Sequence, residues 1–256
     1  MMRAFRIVQR NALVFRRVWR GSIFMTFLQP TLYLAAMGLG LGSLVDRGGT
    51  PLPGGVSYLT FLAPGLLAAS CMQAASFESS FPITSKMLWQ RNYEAIHSAP
   101  MGVADIVMGE LLWVGVRLLA VAVVFSGVIW LFGAARGLFV LAAIPAAVLT
   151  GLAFSAPIIA FAAALKRGGS FNELFRFVIT PLFLFSGVFF PIARLPRPLQ
   201  ALAGLTPLYH GVELTRGLAL HTLTWSAAAV HAGYLTGLVL LGAVAAVWTF
   251  SRKLRA

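Results

Sequence analysis

Cysteine occurs once, at Cys71 inside an apolar run, which excludes an intrachain disulfide and a cysteine-rich metal site. Lysine occurs only at Lys86, Lys166 and Lys253, followed by Met, Arg and Leu. The phosphate-binding loop GxxxxGK[ST] is therefore impossible, and any nucleotide that powers this protein must sit on another chain. No GxSxG nucleophile motif exists, and Ser170 lies in a polar turn with no neighbouring histidine. Acidic residues number seven, and the Glu94-x-x-His97 spacing found in di-metal sites has no second copy, so that chemistry is excluded. Residues 1–20 are rich in arginine, and no short apolar core with a small-residue cleavage site follows them, so no cleavable signal peptide is expected.

Apolar side chains dominate instead. Of 256 residues, 59% are hydrophobic and 11% charged, with mean hydropathy +0.85; soluble domains carry roughly 25% charged residues. Several apolar runs exceed the ~18–20 residues that cross a bilayer as a helix. The reading is a single-domain, all-α membrane protein, residues 1–256. Spans 1–4 fall within 23–165 and spans 5 and 6 within 173–250. The net charge of +13 is concentrated at the ends of apolar runs, a topology signal and not a nucleic-acid footprint.

Residues 3–20 have the pattern of an amphipathic interface helix. Phe5, Val8, Ala12, Phe15 and Trp19 share one arc, and Arg3, Arg6, Arg10, Arg17 and Arg20 lie opposite, suited to anionic lipid or a cytoplasmic partner. Six spans follow, at about 23–44, 57–81, 106–132, 138–165, 173–190 and 225–250. With both termini inside, the six N-terminal arginines join Lys86, Arg91, Lys166, Arg167, Arg176, Arg252, Lys253 and Arg255 on one side. Only Arg47, Arg136, Arg194, Arg197 and Arg216 fall on the other. That bias favours cytoplasmic termini.

Two regions stand out. Between 85 and 98 a short helix is expected, with Trp89, Tyr93 and Ile96 on one side. Between 181 and 217, Pro191, Pro196, Pro198 and Pro207 cut an apolar stretch into pieces too short to span. Such pieces survive at membrane depth only where protein or a water-lined cavity satisfies their backbone. The expectation is a re-entrant helical hairpin at 191–220, acting as a gate and carrying Tyr209, His210, Glu213 and Arg216. A zinc site from His210, Glu213 and His221 lacks the HExxH pattern; the plainer reading is that these groups satisfy a partly non-helical backbone. Three ionisable residues fall within spans: Glu78, Glu110 and Arg117. Glu110 and Arg117 share a face but lie too far apart for direct contact, whereas Glu78 is at a depth to pair with Arg117. They read either as an interhelical pair joining spans 2 and 3 or as part of a conformational coupling.

The chain resembles the permease subunits of type-2 ABC exporters, and among them the NodJ-like branch. The resemblance is carried by residues 57–87, by DIVMGELLW at 105–113, by TGLAF at 150–154 and by SGVFFPIARLP and PLYHGVELTRG within 180–217. It implies a dimer of permeases in a bacterial inner membrane, the second subunit being the same or a homologous chain. Each would dock on an ABC ATPase subunit, two copies in all, with ATP and Mg bound there and no cofactor on this chain. It further implies a coupling helix containing Arg91, Asn92, Tyr93, Glu94, Ile96 and His97, and spans 1, 2 and 5 facing the partner permease. The cargo class it implies is amphipathic or lipid-linked: a drug, a glycolipid or a lipo-oligosaccharide. Two other classes compete, an ion-coupled secondary transporter and a membrane-embedded hydrolase. The first calls for inverted repeats and midplane acids, the second for a nucleophile or metal constellation. Besides these protein partners, the expected contacts are membrane lipids.

Overall fold

A computed structural model of the chain describes residues 2–17, 19, 21, 27–28, 31–48, 52, 55–90, 92–97, 101–134, 139–165 and 171–255. Among these residues the secondary structure is helical, without a β-strand. Helix α1 is Met2–Phe15. Helix α2 covers 34–47, π-helical over Leu34–Leu41 and α-helical over Gly42–Arg47. Helix α3 is Tyr58–Trp89, α4 is Asn92–His97, α5 is Val103–Leu131 and α6 is Phe139–Ala164. Helix α7 covers 171–185 with a π-helical middle at Phe175–Ile179. A 3-10 turn at Ile192–Arg194 precedes α8, Arg197–Gly204, then α9, Pro207–Leu220, and α10, Trp225–Arg255.

Local chemistry sets several of these boundaries. Ser57 caps α3 by accepting from the Thr60 amide. Asp105 accepts from the Gly102 amide at the start of α5. Thr206 caps α9, with Pro207 at the first helical position, where a missing N–H costs nothing. His221 ends α9 in the left-handed region at φ +57°.

Four described helices are long and apolar enough to cross a bilayer: Tyr58–Trp89, Val103–Leu131, Val140–Ala164 and Trp225–Leu254. The other two expected spans differ from these. Residues 23–26 and 29–30 of the first lie outside the described residues. The fifth, expected over 173–190, is the 15-residue helix α7, which ends at Phe185 and rises only ~22 Å against the ~30 Å of a hydrocarbon core.

Helix α6 is the hub, packing against α3, α5, α9 and α10. Small residues let the backbones meet. A Cβ on Gly151 of α6 would lie 2.9 Å from the Cys71 carbonyl of α3, and one on Gly242 of α10 would lie 2.6 Å from the Pro157 nitrogen. The core is accordingly rich in alanine, leucine and phenylalanine from α3, α5 and α6. By contrast α10 is only 17% buried along its apolar stretch, so most of its surface faces away from the bundle.

Helix α1 lies against α5, where Gly109 would meet Ile7 and the Ala4 carbonyl if it carried a Cβ. Its buried stripe is Ala4, Ile7 and Asn11, about a quarter-turn round from the expected Phe5–Trp19 arc. Phe5 and Trp19 are exposed, whereas Phe15 at the other edge of that arc packs on Trp113 of α5.

The Gly242–Pro157 contact gives a direct test. Replacing Gly242 with Leu is expected to lower the thermal midpoint of the purified protein by several degrees, because backbone atoms must move, at ~1–3 kcal/mol. The same change at Gly237, where nothing lies within 4 Å, should leave the midpoint unchanged.

Candidate functional site

Three knots of charged and polar groups lie along α3. Phe61 and Lys86, which belong to the outermost two, are about 38 Å apart along the helix axis.

The first knot is built on Glu110, 1% exposed in the first third of α5. Its carboxylate accepts from Lys86 Nζ at 2.7 and 2.8 Å, from Asn11 Nδ2 at 3.0 Å and from the Tyr93 hydroxyl at 2.9 Å. One anion thus ties together α1, the π-helical end of α3, α4 and α5. Tyr93 is fully buried, its ring edge-on to Phe250 of α10 at 5.2 Å. Burial first, then the facing carboxylate, holds its phenol well above the ordinary tyrosine value, so it stays a donor. Arg10 brings a further cation near, opposing that rise.

The second knot is Glu78 of α3 with Arg117 of α5. Nε and Nη2 of Arg117 both reach Glu78 Oε1 at 3.0 Å. The guanidinium also lies 4.1 Å over the Phe15 ring, itself edge-on to Trp113, so α1 covers this pair as well.

The third knot is built on Arg216 of α9, 9% exposed. It donates from Nε to the Phe61 carbonyl at 3.1 Å and from Nη2 to the Gly187 and Val188 carbonyls at 2.8 and 3.4 Å. Its Nη1 lies 3.4 Å from Glu213, and its plane sits 3.8 Å over the Phe61 ring. Here the chain leaves helical geometry: α7 stops at Phe185, and Gly187 takes φ +82°, which a Cβ would strain. The Gly187, Val188 and Phe189 carbonyls no longer have helical partners. Arg216 serves the first two, and the Tyr58 hydroxyl donates to the third at 3.2 Å. Three carbonyls of a non-helical segment are thereby served by protein side chains, as such backbone requires at membrane depth.

Several expectations are corrected by this geometry. The break falls at Ser186–Gly187, ahead of Pro191, because a positive φ and not a proline ends α7. Pro191 instead precedes the 3-10 turn, Pro196 caps α8 and Pro207 opens α9. Trp89 and Tyr93 do not share a side: α3 runs on to Trp89, which is exposed, whereas Tyr93 is buried. In α4, Glu94 is exposed, Asn92 and Ile96 are half-buried, and Arg91 lies outside the described residues, as does the His97 side chain. Tyr209 lies beside His210 and His231. His210 faces His231, and not His221. Lys86, Asn11, Tyr58 and His231 were not singled out from the sequence. For Lys86 a signal existed: a lone acid deep in an apolar helix demands a cation, and few lysines are available.

The chain matches the family model described as "ABC-2 type transporter" over residues 3–220. It is 32% identical to "Nodulation protein J" of Rhizobium meliloti (strain 1021), over 96% of this chain and 90% of that protein. It is 34% identical to the protein of the same name from Rhizobium leguminosarum bv. trifolii, over 83% and 79%. It is 28% identical to "Inner membrane transport permease YadH" of Escherichia coli (strain K12), over 78% and 75%.

Double-mutant thermal unfolding checks the first knot. Lys86→Ala alone strands a buried carboxylate and is expected to cost ~3–5 kcal/mol. Combining it with Glu110→Ala should cost clearly less than the two single losses added. Tyr93→Phe, which removes one donor from four contacts, should cost ~1–3 kcal/mol.

Proposed function

The chain belongs to the ABC-2 type transporter family, and from that premise we propose that it is the membrane permease of an ATP-driven exporter whose ATPase is a separate chain. The absence of a phosphate loop is consistent with ATP and Mg being held by that partner. On this reading two permease copies, or this chain and a homologue, dock on two ATPase subunits. On the same reading the chain crosses six times with both termini in the cytoplasm, residues 23–44 and 173–190 completing the set. The relatives are named a nodulation protein and an inner membrane transport permease. The cargo class we favour is amphipathic or lipid-linked, in keeping with the apolar outer faces of α5, α7 and α10.

The observation that carries this reading is the attachment of α4 through Tyr93 to Glu110. Helix α4 alone is less than two turns, too short to be stable, yet its buried tyrosine fixes it to α1, α3, α5 and α10. Its other side, with Glu94, is exposed. A small element presented outward and rigidly joined to the spans is what a motor subunit needs to grip. Force applied to α4 passes to α3 through Lys86 and along it to Phe61 and Pro64. There Arg216 and Thr215 of α9 hold the far end, Thr215 donating to the Pro64 carbonyl at 3.2 Å. Pro64 and Pro82 within α3 are natural bend points. The segment 186–220 then acts as the gate, held closed by contacts with α3 and released when α3 tilts.

Reconstitution with the ATPase tests the assignment. Glu94→Ala is expected to cut transport at least ~10-fold, a 1.4 kcal/mol loss of coupling, while ATP hydrolysis and membrane insertion persist. Arg216→Ala should lower transport with α4 undisturbed. Undiminished transport in Glu94→Ala and Asn92→Ala alike would sink the role given to α4, as would ATP hydrolysis by the permease alone.

A further inference from the structure

Beside the Arg216 knot, α8, α9 and α10 meet at a pair of histidines. His210 Nδ1 lies 2.8 Å from His231 Nδ1, and His210 Nε2 lies 2.9 Å from the Gly204 carbonyl at the end of α8. The His210 ring stacks on Tyr234 at 4.0 Å and 21°, and the Tyr234 hydroxyl donates to the Leu205 carbonyl at 2.6 Å. Two carbonyls at the end of α8 are therefore held by side chains of α9 and α10.

The proton count follows from the acceptors. A carbonyl cannot donate, so His210 Nε2 carries a hydrogen. In the neutral ring Nδ1 is then the acceptor, and His231 Nδ1 must donate. One added proton is tolerated: His210 becomes the donor at Nδ1, and the hydrogen on His231 moves to its outer nitrogen. A second added proton puts N–H against N–H at 2.8 Å, between two positive rings. No other arrangement of hydrogens restores the bond.

The surroundings offer little to offset that charge. On α9 the neighbouring ionisable groups are Tyr209 and Glu213, and Glu213 already faces Arg216. On α10 there is Tyr234, and α8 offers only its carbonyls. Helix α6, which packs on both α9 and α10, has no ionisable side chain in its whole length.

We propose that His210 and His231 form one proton-binding site that holds α8 and α9 against α10 while it carries at most one proton, and lets go when it takes up two. The sign is fixed by the geometry. The closed form has no place for the second proton, so the clasp is intact above the ordinary histidine range and is lost as pH falls through and below it. The existence of the clasp does not depend on the transport reading. Its consequence rests on that reading: the 186–220 segment would be loosened by acidity on the side opposite the termini.

Distance measurement between spin labels tests this without any transport assay. The full chain, with Leu202→Cys on α8 and Val230→Cys on α10, both exposed sites, and with Cys71→Ala, is placed in lipid nanodiscs. With both histidines present, the label separation should lengthen and broaden from about pH 8 to about pH 5. His231→Gln supplies an amide that can turn to donate or accept, so its distribution should stay the same at both pH values. A separation that does not respond to pH with both histidines present overturns the proposal, and this arm requires no change at either histidine. So does a His231→Gln chain that opens with acid as the parent does.

Discussion

A charge or a bare carbonyl inside a bilayer has no water to turn to, and this constraint governs the arrangement of the whole molecule. The chain meets it with few anions. Glu110 serves four segments at once, and Glu78 joins two helices while α1 closes over the pair. Each carboxylate is therefore worth more as a junction than as a charge, because the partners it gathers come from different parts of the sequence. Losing the carboxylate leaves all its partners in a low-dielectric site with nothing to face, which makes the junction cooperative.

At the far end of α3 the logic is inverted. There the charge is the donor, and what it serves is backbone. Arg216 takes the Gly187 and Val188 carbonyls, which no helix uses, together with the Phe61 carbonyl of α3, with the Phe61 ring beneath its plane. Lysine could not do the same, since a point ammonium lacks the flat fork that reaches several acceptors from one position. The junction at Glu110 favours rigidity and the one at Arg216 tolerates an interrupted chain. This difference matches a molecule driven at one end and opened at the other.

Much of this was legible in the sequence, and the parts that were not have physical reasons. Apolar runs announced the long helices, because nothing else in a 20-residue hydrophobic stretch competes with span formation. The Glu78–Arg117 pair followed from depth and from the scarcity of opposite charge. The partners of Glu110 did not follow: Lys86 reads as a loop residue until α3 is seen to extend to Trp89, and Asn11 is an ordinary polar residue on a surface helix. The interruption after α7 was legible as an event but misplaced. Prolines mark breaks visibly, whereas Gly187 is one of 25 glycines and nothing in the sequence marks it as one that takes a positive φ. His231 carried no signal, since its spacing from His210 is set by packing across two helices.

The separation between Asn11 and Glu110 also bears on biogenesis. The amide that completes the first knot is made 99 residues before the carboxylate it serves. When α1 emerges from the ribosome its buried stripe has no surface to cover, and the Gly109 notch that receives it does not yet exist. Helix α1 must therefore wait at the membrane surface through the synthesis of α3 and the first part of α5. Its arginines and exposed aromatic side chains suit it to that wait. Helix α1, made before α3 and α5, is thus later than both to find its place, and its docking can serve as a check that α3 and α5 have been threaded correctly.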